Sequence, residues 1–499
     1  MAGGLATDPY LPPCLLAIDQ STSATKALIF DARGDLVGRA DRPHRQKIAS
    51  NGWVAHDPME IYRNTLAAAA ESIKKTGVDP GAIIGVGISN QRETALVWDR
   101  ASGVPVYDAV VWHCPRGAEI CGRLSAQGEA VRARTGLRLS PYFSAAKIAW
   151  ILEHTGDHKN LCAGTIDAWL VYKLTGNFKT DWSNASRTQL LNLLDLAWDG
   201  EICGLFGIDP GILPEICDSN AHFGETDFEG LLPRAVPIRG VLGDSHGALF
   251  GQGCLDRGMA KATYGTGSSV MVNTGDKPVF CDSVVTSLAW GRDGKLNYVL
   301  EGNINYTGAV IKWLVEDVGL LSSSREAGKI AASANPDDTA YLVPAFSGLG
   351  APHWAPEARA CLGGMTRSTG RAEIVRAAEE SIAFQIADVV RAMEEESSRR
   401  GFDLSLTELR VDGGPAGDPF LMQFQSDILN LPLSVPEREE LSAAGAAYMA
   451  GLSLGLYPSS VFSRIKRTRY DPAMDEEDRT RRYRRWQEAV RMVTGRGRP

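Results

Sequence analysis

Residues 14–31, CLLAIDQSTSATKALIFD, read as two apolar strands, 14–19 and 26–31, joined by a turn of small hydroxyl side chains. The same plan returns at residues 259–275, MAKATYGTGSSVMVNTG, as a strand, a Gly/Thr/Ser turn and a second strand. A repeated hairpin with a polar tip predicts an internally duplicated α/β chain with a boundary near Gly258. Outward from the first hairpin, Asp57 and Pro58 open a helix that Gly77 closes, and the buried run 83–88 ends at the polar cluster NQRET. Helices are expected over 145–153 and 168–175, and the strand 237–242 leads through Asp244 into another. Outward from the second hairpin come a long helix over 372–400, a strand over 408–412, the loop GGPAG and a helix from Pro419. A strand followed by a glycine loop and a helix N-terminus suits a nucleotide.

With 499 residues, 44% hydrophobic and 22% charged, the chain has the make-up of a globular protein of two large domains or three small ones. The formal charge of −8 gives no diffuse attraction to nucleic acid or anionic lipid, so neither is expected as a partner. Nine cysteines, scattered without C-x-x-C, suggest reduced thiols and a cytoplasmic protein. No run approaches the roughly 18 apolar residues of a membrane span, and residues 1–13 do not resemble a signal peptide. The arginine-rich C-terminal stretch reads as a solvated terminal helix with a frayed tail.

No G-x-x-x-x-G-K-[ST] and no G-x-G-x-x-G between strand and helix occurs, which closes both usual routes to phosphate binding. Two hydroxyl-rich tips remain, Ser21-Thr22-Ser23 and Gly265-Thr266-Gly267-Ser268, whose N–H and O–H groups can jointly grip a polyphosphate. Asp19 ends an apolar strand, where a carboxylate must be solvated, hydrogen-bonded or paired with a cation, and Mg2+ near the phosphates would satisfy it, directly or through water. Asp244, at a helix N-terminus, is a candidate proton acceptor or an ordinary helix cap. Arg92 and Glu93 either bind an array of hydroxyls or form an internal ion pair. Trp112 and Tyr142 offer aromatic faces for the C–H side of a polyol. His113 and His246 are not at zinc spacing.

These residues resemble the FGGY carbohydrate kinases, and within them the glycerol kinase branch. The resemblance runs from about residue 14 to 460 through AIDQSTSATKALIFD, GISNQRETALVWDRASGVPVYDAVVWHC, PYFSAAKIAWIL, TDWSNASRTQLLN, ATYGTG, VPAFSGLGAPHWAPEARACLGGMTR and LRVDGG with FLMQFQSDIL. It implies an α/β fold of two actin-like ATPase, ribonuclease-H-like domains with the active site in the interdomain cleft. The expected organisation is a flexible tail over 1–13, domains over 14–258 and 259–465, and a basic helix and tail over 466–499. It also implies an ATP- and Mg2+-dependent kinase acting on the terminal hydroxyl of a small polyol or sugar, and a homodimer. By resemblance Thr22, Ser23, Lys26, Thr266, Gly267, Gly308, Lys312, Gly414 and Asp418 would bind the nucleotide, and Asp19 the metal. Arg92, Glu93, Trp112, His113, Tyr142, Asp244, Ser245 and Ser269 would form the substrate pocket, with Asp244 as the base.

Departures from the family pattern fall in that pocket. Ser245 stands where these kinases usually have Gln, Ser269 where they have Phe, His113 where they have Gln, and Pro115 where they have Arg. A larger, more polar pocket raises the alternative of a tetritol, pentitol or ketose as acceptor. Ser21, Pro415 and Asp418 alter the nucleotide loops, which admits a second alternative, a non-catalytic nucleotide- or sugar-binding sensor.

Overall fold

The computed structural model describes residues 11–156 and 159–495; most of the expected N-terminal tail (1–10) and the last residues of the C-terminal tail (496–499) lie outside them. In the first half, β1 (Cys14–Gln20) and β2 (Ala24–Phe30) form the expected hairpin, followed by β3 (Leu36–Pro43). After α1 (Pro58–Thr76) come β4 (Ile83–Asn90), α2 (Ser144–His154), α3 (Ile166–Thr175), β5 (Gly224–Thr226), β6 (Val236–Gly243) and α4 (Asp244–Gly251). The second half contains β7 (Ala260–Tyr264), β8 (Ser268–Gly275), β9 (Val285–Arg292), β10 (Lys295–Ile304), α5 (Gly308–Glu316) and α6 (Ala327–Ala331). It continues through α7 (Arg371–Arg399), β11 (Leu409–Gly413), α8 (Pro419–Leu429), β12 (Leu433–Pro436), α9 (Leu441–Ser453), β13 (Arg467–Tyr470) and α10 (Glu476–Thr494).

The two large sheets share one plan. The first is ordered β5-β6-β4-β1-β2-β3 and the second β9-β10-β8-β7-β11-β12-β13. In each, the first hairpin strand pairs antiparallel with its partner on one side and parallel with a later strand on the other: β1 with β2 and β4, β7 with β8 and β11. This is the duplicated ribonuclease-H-like, actin-like ATPase architecture. Polar residues collect at the carboxyl ends of the parallel strands, where open α/β sheets bind ligands: Asp19 on β1, Gln91 to Glu93 after β4, Asp244 after β6 and Asp412 near the end of β11, which the glycine loop at Gly414 follows. A smaller sheet of five short strands (47–48, 54–56, 109–110, 95–99 and 161–165) carries the segment of Trp112.

Local chemistry explains the boundaries. Asp57 caps α1 by accepting from Met59 N–H at 2.8 Å, Pro58 starts it, and Gly77 at φ 67° ends it. Helix α9 comes from the second half yet lies on the first sheet, packing on α4, β4 and β6. Small residues permit this approach: a Cβ on Gly445 would stand 1.9 Å from the Gly247 carbonyl, and one on Gly87 would stand 2.4 Å from that of Ala446. Because backbone must move to admit the methyl, Gly445→Ala should cost about 1–3 kcal/mol. It should also displace α4, which begins with Asp244; thermal melting measures the loss.

The C-terminal segment corrects the solvated-helix expectation. Residues 467–470 add an edge strand to the second sheet, and Tyr483, Trp486, Ala489 and Val490 form a buried stripe along α10. Trp486 stacks on Phe384 at 5.3 Å, and both Tyr483 O–H and Trp486 N–H donate to Asp388. The helix is amphipathic, so its arginines face water while the aromatic face joins the core. Among the described residues, no helix is long and apolar enough to cross a membrane.

Candidate active site

Asp244 is the first residue of α4, with Gly243 in the extended cap position. Its carboxylate is about one-third exposed, accepts from the Ser245 N–H at 2.6 Å, and lies 3.1 Å from Arg92 Nε. Arg92 is buried and donates two hydrogen bonds to Glu301, one to each oxygen, both 2.8 Å long. Glu301, on β10, also meets Arg187 at 3.0 Å, and Arg187 Nε donates to Glu93 at 2.6 Å. Two guanidiniums and three carboxylates therefore form one network, which joins the first sheet to the second. Burial opposes the charges, yet the guanidiniums of Arg187 and Arg92 hold the Glu301 carboxyl well below the usual carboxylate range. The same partnership, led by Glu301, holds Arg92 well above its ordinary value despite burial.

The ion-pair reading of Arg92 and Glu93 is thus present in the molecule, but each pairs mainly with a residue the sequence did not single out. Glu93 adopts φ 60°, in the left-handed region that strains a residue with a Cβ. Trp112 and Tyr142 meet edge-on at 5.4 Å, and the exposed His113 ring lies 4.7 Å from Trp112. Tyr142 is set by Lys147, whose buried ammonium donates to the carbonyls of Pro141 (2.8 Å), Tyr142 and Phe143 (3.0 Å). Burial pulls Lys147 down to about 7. Ser245 follows Asp244 on α4, and Ser269 Oγ donates to Glu301 at 3.1 Å. Of the eight expected substrate-pocket residues, Arg92, Glu93, Asp244 and Ser269 share this network, Ser245 joins it through its N–H to Asp244, and Trp112, His113 and Tyr142 form a separate aromatic group.

Among the expected nucleotide residues, Thr266, Gly308, Lys312, Gly414 and Asp418 line a cavity of about 1150 Å³. Its second-hairpin wall is bonded to the start of α5: Gly308 N–H donates to the Gly265 carbonyl and Ala309 N–H to that of Thr266, at 2.9 and 3.1 Å. Gly308 must lack a side chain, because a Cβ would stand 2.4 Å from the Gly265 carbonyl. Gly267 packs its backbone against the Ile304 carbonyl, which a Cβ would approach to 2.3 Å. The first tip does not line that cavity and is tied to the aromatic pair: Thr22 Oγ1 accepts from Trp112 Nε1 at 2.9 Å, with Ser23 exposed beside it. Lys26, expected at the phosphates, has its ammonium paired with Glu440 at 2.6 Å and Asp19 at 3.7 Å.

Burial pushes Asp19 up to about 6, against the pull of the Lys26 ammonium. No cluster of three or more His, Cys, Asp and Glu is placed to hold a metal among the described residues. A donor set of this kind, one carboxylate near polar tips, fits Mg2+ held mainly by phosphate and water oxygens.

The duplicated ATPase fold, the cavity of about 1150 Å³ and the guanidinium–carboxylate network at the sheet ends belong to an ATP- and Mg2+-dependent carbohydrate or polyol kinase, the class that relatives of this chain define. Residues 14–251 match the N-terminal domain and residues 260–454 the C-terminal domain of the FGGY family of carbohydrate kinases, and the chain belongs to that family. It is similar to glycerol kinase 1 of Thermotoga maritima, at 47% identity over 96% of this chain and 99% of that one. Glycerol kinase of Carboxydothermus hydrogenoformans is 44% identical over 95% and 97%. Among solved structures, Plasmodium falciparum glycerol kinase with ADP superposes with a TM-score of 0.90 at 35% identity, covering 97% of this chain and 98% of that one. A xylulose kinase from Lactobacillus acidophilus shares the fold, with a TM-score of 0.86 at 20% identity over 97% and 99% of the two chains.

Proposed function

We propose that the protein transfers the γ-phosphoryl group of ATP to a terminal hydroxyl of glycerol or a closely similar polyol, with Asp244 as the proton acceptor. The observation that carries this reading is the part-exposed Asp244 carboxylate, held 3.1 Å from Arg92 in a network that includes Glu93. Arg92 donates to, and Glu93 accepts from, the acceptor's hydroxyls, while Trp112 and Tyr142 pack on its C–H side. His113, Ser245 and Ser269 complete the pocket. Asp244 takes the proton of the attacking hydroxyl as its oxygen bonds to phosphorus, and ADP leaves. Thr22, Ser23, Thr266 and Gly267 hold the phosphates through N–H and O–H groups. Asp19 would hold Mg2+, which would supply neutralisation of the phosphate oxygens. All nine cysteines are free, which suits a cytoplasmic setting, and light scattering would read the expected dimer.

A coupled ADP-release assay over glycerol, erythritol, arabinitol, xylitol, ribulose and xylulose tests the reading. Turnover of none of them would leave the sensor alternative. A second reading, preference for a tetritol, pentitol or ketose, is favoured by one observation: short hydroxyl side chains at Ser245 and Ser269, the latter bonded to Glu301. Ser269→Phe should then narrow the pocket and lower kcat/KM for the longer acceptors relative to glycerol by about tenfold. Equal effects on all acceptors would refute that second reading.

A further inference from the structure

Among the described residues that line the nucleotide cavity, one buried side-chain oxygen has no hydrogen-bond partner. Glu379, on α7, is 2% exposed, lines the cavity, and its Oε2 has no hydrogen-bond partner. The neighbouring carboxylate is fully engaged: Asp418 accepts from Phe420 and Leu421 N–H at 2.9 and 3.4 Å, and from Gly328 N–H at 2.9 Å. Gly328 is held so close that a Cβ there would stand 2.0 Å from Asp418 Oδ1. Much of the surrounding wall is apolar, with Ile311, Val315, Ala332, Phe420 and Leu421. Such a slot suits a flat heterocycle, and a carboxyl in its wall with an oxygen that no protein group pairs has hydrogen-bonding capacity to spare.

We propose that Glu379 reads the nucleobase, forming the hydrogen bonds that make the site prefer adenine over guanine. This rests on the nucleotide reading of the cavity. Burial first, and then the Asp418 carboxylate, push the Glu379 carboxyl up to about 8, so it is mostly protonated at neutral pH. The other charged groups lining the cavity are Lys312 and Glu316 from α5, Arg325 from the turn before α6, and Lys329 from α6. On α7 itself, Glu380 faces Arg376 and Arg482. A neutral carboxyl donates through O–H and accepts through C=O, which matches the adjacent ring nitrogen and exocyclic amine of adenine. An ionised carboxylate only accepts. It is repelled by adenine's ring nitrogens and matches the neighbouring N–H groups of guanine.

Calorimetric titration of ADP and GDP into the full-length protein at pH 7 and pH 9 tests this without catalysis. With the competent form falling from most of the population to about a tenth, ADP affinity should weaken about tenfold, and GDP affinity should not weaken with it. Glu379→Gln, which keeps a donor and an acceptor, should bind ADP equally at both pH values. Glu379→Leu should bind ADP about fivefold more weakly at pH 7 and show no pH dependence. Wild-type ADP affinity independent of pH, or a leucine variant that binds like wild type, overturns the proposal. Gly414→Leu separates the two readings, because open space lies before Gly414 and the new side chain would fill the cavity. If ADP binding survives that substitution, the nucleotide reading of the cavity fails and Glu379 falls with it. If binding is lost there while wild-type binding is flat with pH, only the role of Glu379 fails.

The same carboxyl carries a stability signature. Its folded pKa lies above the unfolded value, so its contribution is present in acid and is lost as pH rises through about 8. Nucleotide-free Glu379→Gln should therefore gain thermal stability relative to wild type at pH 9 and gain less at pH 6. An unchanged difference between the two pH values overturns the assignment of a neutral Glu379.

Discussion

Asp244→Asn should lower kcat by about 100- to 10,000-fold, the usual contribution of a positioned proton acceptor, while ADP binding measured by calorimetry stays as in wild type. The amide keeps the size of the side chain and its position at the start of α4, but it cannot take the proton of an attacking alcohol. The pair with Arg92 at 3.1 Å is also weakened. That guanidinium retains both Glu301 oxygens, so the network does not collapse and a loss of turnover reports on chemistry. Two controls make the result specific: unchanged thermal stability and unchanged nucleotide affinity. The structure has already set aside the helix-cap reading, since Gly243 holds the cap position without a side-chain cap bond; a variant that turns over within tenfold of wild type would leave Asp244 only its pair with Arg92.

The second large effect concerns folding. Glu301→Gln should destabilise the protein by about 1.5–3 kcal/mol, because two buried guanidiniums, Arg92 and Arg187, each lose a charged partner held within 3.0 Å. Arg92 keeps Asp244 and Arg187 keeps Glu93, so the remaining charges still balance. Glutamine fills nearly the same volume, so no cavity confounds the comparison. Urea unfolding reads the loss. Because Arg92 also touches Asp244, KM for the polyol should rise as well. A double-mutant cycle with Arg187→Met should show coupling, since both substitutions remove the same contact. A change in midpoint no larger than that of a surface carboxylate would refute the network's role.

Much of the fold follows from local signals. The paired hairpins are visible because apolar runs flank turns rich in Gly, Ser and Thr, and both form antiparallel pairs at the expected places. Helix α1 is readable from Asp57, Pro58 and Gly77, each acting on its own neighbours. The same holds for the polar strand ends: a charged or amide cluster such as NQRET after a buried run marks a sheet edge where ligands bind.

Partnership is another matter. Arg92 and Glu301 are 209 residues apart, and Lys26 and Glu440 are 414 apart. Glu301 leaves one trace in the chain, an acid inside the apolar strand YVLEGNI, and Lys147 a similar one inside SAAKIAWIL. The trace says that a buried charge exists; it does not name the opposite charge. Helix α9 shows the same limit, for its small residues announce close packing without saying that the surface is the first sheet. Residue order thus dictated the hairpins, the helix limits and the polar tips, because capping, turn geometry and strand alternation act over a few residues. Which guanidinium meets which carboxylate, that the terminal helix is seated on the core, and that Glu379 is left unpaired in a cavity were settled only when distant segments came together, since charge pairing and burial are properties of spatial neighbours.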